Sequence, residues 1–505
     1  MTALDLVAAL ATLVLVIVAD LRWWRVAQRE HYGPGRVLAM TGIWLRAVPL
    51  GLLGLVALVV CALAGVPYPL MGVVAAVVLV AWPPGLVLWR SEKKLAFTAR
   101  VKRLVALTVG LQVVVTAVLL PLGAVSFLPL LAVPLVEVAL LAAQPIEARL
   151  NKRWQVSAAE KIKRVSPRVV AITGSYGKTS TKNYVTHLLQ GRWSTLASPA
   201  SFNNVLGLSR AVNDRLEPGT DVFVAEMGTY GPGEIASLCE IFRPEVSAIT
   251  TIGEAHLERM KNRETIVRAK SEILPPASTV VLNVDVPELH EIAERMRAEK
   301  RVIAVSAGEH PEAEVVVRRA EDGGWELVLS GAAHPVRLPA DVGHPTNVAV
   351  AVGLAVALDV PEKTLLERLP GIPATPHRAE ATTGADGVAV IDDTFNSNPT
   401  GAARALAHAR ELAGESGRVW TITPGMMELG HRQRERNAAL AVDATGDERS
   451  TLCVVGRTNV PALLAGEKER TKRFASREAA TAWVRKQARA GDVILFENDL
   501  PDHYP

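Results

Sequence analysis

The sequence predicts an α-helical, membrane-spanning region of about five spans followed by α/β domains. Three observations carry this. Residues 1–145 are dominated by Leu, Val and Ala, whereas the remainder has ordinary globular chemistry. A strand-like run, Val169-Val170-Ala171-Ile172, meets a glycine-bracketed turn and then Lys178-Thr179-Ser180. Beyond it, strand-like and helix-like stretches alternate, as in a mostly parallel sheet. The chain has 505 residues, enough for about three domains. The uneven composition explains how 21% charged residues coexist with a mean hydropathy of +0.22.

Five apolar runs lie at roughly 3–19, 44–65, 68–89, 104–123 and 126–144. Each is near the ~20 residues a helix needs to cross a hydrocarbon core. The first lacks a basic n-region and a small-residue cleavage site, so it reads as an anchor and not as a removed signal peptide. Residues 20–43 carry Arg22, Arg25, Arg29 and Arg36, and residues 90–103 carry Arg90, Lys93, Lys94, Arg100, Lys102 and Arg103. Basic loops stay cytoplasmic. That predicts a multi-pass plasma-membrane protein with its N-terminus outside and its catalytic domains inside. Glu137 falls at membrane depth and faces either a helix partner or the interface. The net charge of +4 suits anionic membrane lipids. No aromatic-interleaved basic patch of the kind that argues for nucleic acid stands out. Cys61, Cys239 and Cys453 are isolated, so neither a zinc site nor a disulfide framework is indicated.

The strand–turn–helix at 169–181 is suited to a polyphosphate. Gly174 and Gly177 allow close approach of the backbone, and Ser175 and the helix start supply N–H groups. Lys178 would reach the β/γ-phosphates, with a hydroxyl from Thr179 or Ser180 on Mg²⁺. Ser201–Gly207 is a polar turn leading to a helix, holding Asn203 and Asn204. Asp221–Glu226 reads as a buried strand whose terminal carboxylate is placed for a metal. Val246–Ile252 is a further strand, ending near His256. Ile266–Ile273 is a helix carrying Lys270, and Val280–Asp285 is another strand.

The ordered blocks TGSYGKTS, NN-x-x-G, AEMG, IGEAHLE, RAKSEI and LN-x-D resemble the Mur ligase family. The block Asp392–Pro399 is similar to the DD-x-Y-N-A-N-P signature of its MurF branch, which adds D-Ala-D-Ala. The resemblance covers roughly residues 165–500. Beside the membrane region read from the apolar runs over 1–148, it implies a P-loop Mur-ligase ATP-binding domain over 149–368 and a Rossmann-like C-terminal domain over 369–505. It implies ATP and two Mg²⁺ ions. Thr179 and Glu226 would hold the first ion and His256 the second, with Lys270 carbamylated as in several members. It also implies Asn347, Arg378 and Asp393 on the nucleotide, and Asn203, Asn204, Asn396 and Asn398 shaping the substrate region. The pattern G-x-H-N-x-x-N is here Gly343-His344-Pro345-Thr346-Asn347, so His344 stands where the family has its first Asn.

Two departures bear on substrate. Apolar helices stand where the branch has a UDP-sugar-binding domain. The last strand leads to Glu497-Asn498-Asp499 and not to the family's Lys-Gly-Ser. That charge reversal near the amine-donor pocket favours a donor with an extra cationic group, or else Glu497 is a surface residue. The expected activity is ATP-dependent, ADP-forming amide ligation. It would join an amine donor to a small-molecule or lipid-linked carboxylate in cell-envelope, peptidoglycan-related synthesis. A polyglutamate-type polymerising ligase and an ATP-driven transporter of a lipid-linked precursor are the alternatives.

Overall fold

The computed structural model describes residues 2–47, 51–83, 86, 94–199, 202–339, 342, 344–373, 380–394, 397–498 and 504. The chain divides into two units. One holds Met1–Leu150 with Val455–Pro461 and Leu500–Pro505, and the other holds Asn151–Val454 and Ala462–Asp499.

The apolar unit is helical. Among the described residues, three helical segments are long and apolar enough to cross a membrane: Ala3–Arg29, Ala99–Leu119 and Val125–Val165, the last continuing beyond Leu150. The pair Arg36–Ala47 and Gly51–Ala64 makes a fourth if it counts as one bent span. The five expected runs are therefore not five long helices. Among the described residues of the run at 68–89 the helix is Leu70–Ala81, and it ends where Trp82 turns extended ahead of Pro83, the conformation favoured before proline. Outward faces are apolar, with Leu6, Leu10 and Val14 on the first helix and Val114 and Val118 on another more than 50% exposed.

The first basic loop also differs from expectation. Helix Ala3–Arg29 runs through residues 20–29 and buries Arg22 and Arg25. The Arg22 guanidinium donates to the carbonyls of Val80 and Trp82, which the proline break has released from helix bonding. Glu137 takes the helix-partner option. It is buried and accepts from Gly35 N at 2.7 Å and Leu38 N at 2.9 Å. A carboxylate there satisfies orphan donors and the dipole of helix Arg36–Ala47.

The second unit contains two sheets. The first has nine strands: β1 Arg168–Thr173, β2 Thr195–Ala197, β3 Val222–Glu226, β4 Val246–Ile249, β5 Thr279–Asn283, β6 Arg301–Ser306, β7 Val315–Arg319, β8 Trp325–Leu329 and β9 Ala332–Val336. Their order is β2-β3-β1-β4-β5-β6-β7-β8-β9, with only the β7–β8 and β8–β9 pairs antiparallel. β3, β4 and β5 are buried at every residue, so each reads as a continuous apolar run and not as an alternation. Helix Pro345–Ala357, apolar on every side, lies directly on this sheet. A Cβ at Gly353 would sit 2.8 Å from both Val281 and Val305.

The second sheet contains β10 Glu380–Thr383, β11 Ala389–Asp393, β12 Val419–Thr423, β13 Ser450–Val454, β14 Thr471–Arg473 and β15 Val493–Glu497. The order is β10-β11-β15-β12-β13-β14, parallel except for β10. Asp393 and Glu497 are register neighbours at the carboxyl ends of β11 and β15. β12 ends beside them at Thr423 and feeds residues 424–432.

Glu137→Ala should lower the stability of the apolar unit by about 1–2 kcal/mol, and Glu137→Gln by less. Thermal unfolding in detergent, followed by far-UV circular dichroism, measures both.

Candidate active site

The site is built on the carboxyl ends of β1 and β3. After β1, Gly174 (φ 152°) and Gly177 (φ 82°) adopt conformations that favour glycine. A Cβ on Gly174 would lie 1.9 Å from Thr250 Oγ1, and one on Gly177 2.1 Å from Asn347 Oδ1. Both glycines are therefore fixed by neighbours as well as by backbone conformation. Ser175 is tied across the loop, its N–H donating to Thr251 O at 2.8 Å and its Oγ accepting from Gly253 N at 2.9 Å. Helix Lys178–Leu189 opens at Gly177 and directs its unpaired N–H groups at the loop. Lys178 Nζ reaches back to Gly174 O at 2.8 Å. Ser180 is buried on the same first turn.

Glu226 ends β3 and is buried. Thr179 Oγ1 donates to its Oε2 at 2.9 Å, and Asn203 Nδ2 donates to Oε1 at 3.2 Å. Lys182 Nζ lies 3.4 Å from Oε2. Burial pushes the Lys182 ammonium down from its ordinary value, and Glu226 opposes that shift. Lys182 and Ser198, whose Oγ accepts from Glu226 N at 3.2 Å, were not foreseen. Lys182 lies one helical turn after Lys178, which is the signal that would have found it.

The hydroxyl of Thr179 and the carboxylate of Glu226 are the hard oxygen donors Mg²⁺ takes. Among the described residues, the only trio of His, Cys, Asp or Glu with ligand atoms within 4.8 Å of one another is His290, Glu294 and Glu312. A cation at Glu226 would thus draw its remaining ligands from water and phosphate, the usual habit of Mg²⁺.

Lys270 is buried in helix Arg263–Ser271. Burial, and then the charge of Lys178, hold its amine well below the ordinary lysine value. His256 has left-handed backbone (φ 59°) at the start of helix Leu257–Met260. Its Nδ1 lies 2.5 Å from Glu428 Oε2, a partner the sequence reading missed. Glu428 belongs to the loop after β12, so the two sheets meet at this site. Nearby, Glu254 is gripped by Arg436 (2.6 and 2.8 Å) and by Arg432 (2.5 Å).

Asn347 sits beside Gly177, delivered by the buried helix it opens. His344 caps that helix, its Nδ1 accepting from Thr346 N at 3.1 Å. Burial, helped by Arg404, pushes its pKa down to about 4. Asn204 and Asn398 are also caps, accepting from Gly207 N and Gly401 N at 2.9 Å each. Their side-chain oxygens are committed to the backbone, and what they offer a substrate is the amide nitrogen. Asp393 feels Arg404 and Glu497. Glu497 is not a surface residue: it is fully buried and accepts from Ser397 Oγ. Burial, and then Asp393, hold its carboxyl well above the usual range. Arg378 and Asn396 lie outside the described residues.

Residues 172–342 match the Mur ligase middle domain, and residues 377–497 match the Mur ligase, glutamate ligase domain. A UDP-N-acetylmuramoyl-tripeptide--D-alanyl-D-alanine ligase of Mycobacterium leprae is 32% identical over 375 residues, covering 65% of this chain and 70% of the relative. MurF ligase from Thermotoga maritima in complex with ADP superposes with a TM-score of 0.59 at 25% identity, covering 69% of this chain and 80% of that one. MurF from Acinetobacter baumannii gives a TM-score of 0.60 at 24% identity over 69% and 77%, a likeness of fold.

Gly177→Ala should weaken ATP binding by at least about tenfold, because the new methyl strains a left-handed position and displaces Asn347. Titration calorimetry on the folded variant measures it. His344 should make folding acid-sensitive. The unfolded ring protonates near 6.5, whereas the folded ring resists until about 4. Stability should therefore be fully present above pH 6.5 and fall as pH drops toward 4. His344→Asn should keep the cap and remove that component of the stability–pH profile.

Proposed function

The chain belongs to the Mur ligase family, and we propose that it is a membrane-anchored amide ligase that activates a carboxylate as an acyl phosphate. Family membership makes it an ATP-dependent, ADP-forming ligase of the MurF-like, cell-wall kind. The observation that carries the mechanistic reading is the Thr179–Glu226 contact at 2.9 Å beside Lys178. It gathers a hydroxyl, a carboxylate and a cation at one helix N-terminus.

The loop N–H groups and Lys178 hold the β/γ-phosphates and take up charge as the acceptor's carboxylate oxygen attacks the γ-phosphorus. Thr179 and Glu226 would hold one Mg²⁺ and His256 a second, and the ions would supply charge that screens the two anions from each other. Lys270 is buried, and burial and then Lys178 lower its amine well below the ordinary lysine value. A lysine so lowered is suited to carbamylation, in which the amine would add CO₂ and release a proton to solvent, and the carbamate would supply negative charge for a second ion. Asp393 and Asn347 would contact the nucleotide, and Arg378 is assigned to its phosphates from the family resemblance alone. The amine then attacks the acyl carbon, and phosphate leaves.

The relative named above acts with D-alanyl-D-alanine. Glu497 is buried beside Asp393 with its carboxyl held well above the usual range, so it adds little negative charge and does not by itself favour a donor with an extra cationic group. The long apolar helices with lipid-suited faces support multi-pass anchoring in the plasma membrane, with the ligase domains cytoplasmic. They support a lipid-linked or membrane-proximal acceptor.

With ¹⁸O in the acceptor carboxylate, one label should pass into released phosphate as ADP forms. Lys178→Ala should cut turnover by at least about a thousandfold. Label remaining wholly in the product, or AMP among the products, overturns the acyl-phosphate route.

A further inference from the structure

We infer that Glu428 is a positioning residue for His256, orienting its imidazole for a divalent cation only while residues 424–432 lie against residues 254–260. The inference rests on the reading that His256 faces the second metal ion.

The contact itself is specific. Facing a carboxylate oxygen at 2.5 Å, Nδ1 is the nitrogen placed to donate, which leaves Nε2 as the one available to a cation. The ring is also held laterally. Tyr230 meets it edge-on with centroids 4.8 Å apart. Arg259 stacks on Tyr230 at 4.4 Å and comes within 3.8 Å of Glu428 Oε1. An imidazole fixed by its tautomer and its flank is the arrangement that a carboxylate–histidine–metal relay requires, and such outer partners change metal affinity 10–100-fold.

The backbone around the contact is equally constrained. His256 and Glu428 both have left-handed backbone, at φ 59° and 62°. Glu258 N donates to Glu428 O at 3.0 Å. Gly430 packs so tightly that a Cβ would lie 3.1 Å from Glu258 Cα. The loop after β12 is therefore docked main chain to main chain, and its carboxylate arrives at His256 only as part of that docking. Metal affinity and docking of the second sheet are then thermodynamically linked: whatever docking adds to metal binding, metal binding returns to docking.

Mn²⁺ binding to the full-length protein with ADP, followed by electron paramagnetic resonance in detergent, tests this. Glu428→Ala should weaken the lower-affinity Mn²⁺ site about 10–100-fold. Glu428→Gln, which keeps size and an acceptor oxygen, should weaken it less and serves if the alanine variant does not fold. His256→Ala should abolish that site. Manganese should raise the thermal midpoint of the wild type more than that of Glu428→Gln. If His256→Ala loses the site while both Glu428 variants keep wild-type affinity, the positioning role is overturned and the metal reading stands. If His256→Ala binds both ions normally, the metal reading fails and this inference with it.

Discussion

Glu226 is a carboxylate buried at the end of a strand, and much of the site is arranged around pairing its two oxygens. An ionised carboxylate removed from water is costly unless it is paired and hydrogen-bonded. Here Thr179, Asn203 and Lys182 meet its two oxygens, and Ser198 accepts from its own N–H. These partners come from the phosphate-loop helix, from the turn before Val205–Arg215 and from the end of β2. The helix contributes twice, through Thr179 and Lys182, three residues apart on one face. One buried charge thus fixes the orientation of three separate segments around the nucleotide loop.

The sheet makes that convergence possible. β1 and β3 are hydrogen-bonded neighbours, with Ile172 paired to Glu226, so the loop after one strand and the carboxylate ending the other lie side by side. Helix Pro345–Ala357 completes the arrangement from the opposite end of the domain's sequence. Its close seating, enforced at Gly353, sets Asn347 against Gly177. A buried apolar helix is in this sense part of the phosphate site, although none of its core residues touches a ligand.

Much of this was legible in the sequence because strong local signals and tertiary demand agree. The strands at 169–172, 222–226, 246–249 and 280–283 were readable from apolar runs too short and too β-branched for helices. The glycines, Lys178, Thr179 and Glu226 were readable because their chemistry is tied to spacing. The hairpin β7–β9 was passed over although Asp322-Gly323 marks its turn. Pairings across long separations were not readable. His256 with Glu428 spans 172 residues and Glu254 with Arg436 spans 182. Neither leaves a local pattern. In the apolar half, composition located helices but not their ends. Trp82-Pro83 stops one early, and Arg22 and Glu137 are absorbed by exposed backbone groups inside the unit.

The contact between the two sheets is polar and only partly buried. Glu254 with Arg432 and Arg436, and His256 with Glu428, are half-exposed polar contacts. Pairs of that kind contribute only about 0–1 kcal/mol each, more where the geometry is bidentate. Leu257 and Leu429 add a small buried apolar contribution. An interface of this strength holds register without locking, and its balance can be shifted by a ligand contributing a few kcal/mol. On one side the contact is made by Glu254, His256 and Leu257, three residues within four positions of the chain, so a cation held by His256 would act on the interface directly and not through the body of either sheet.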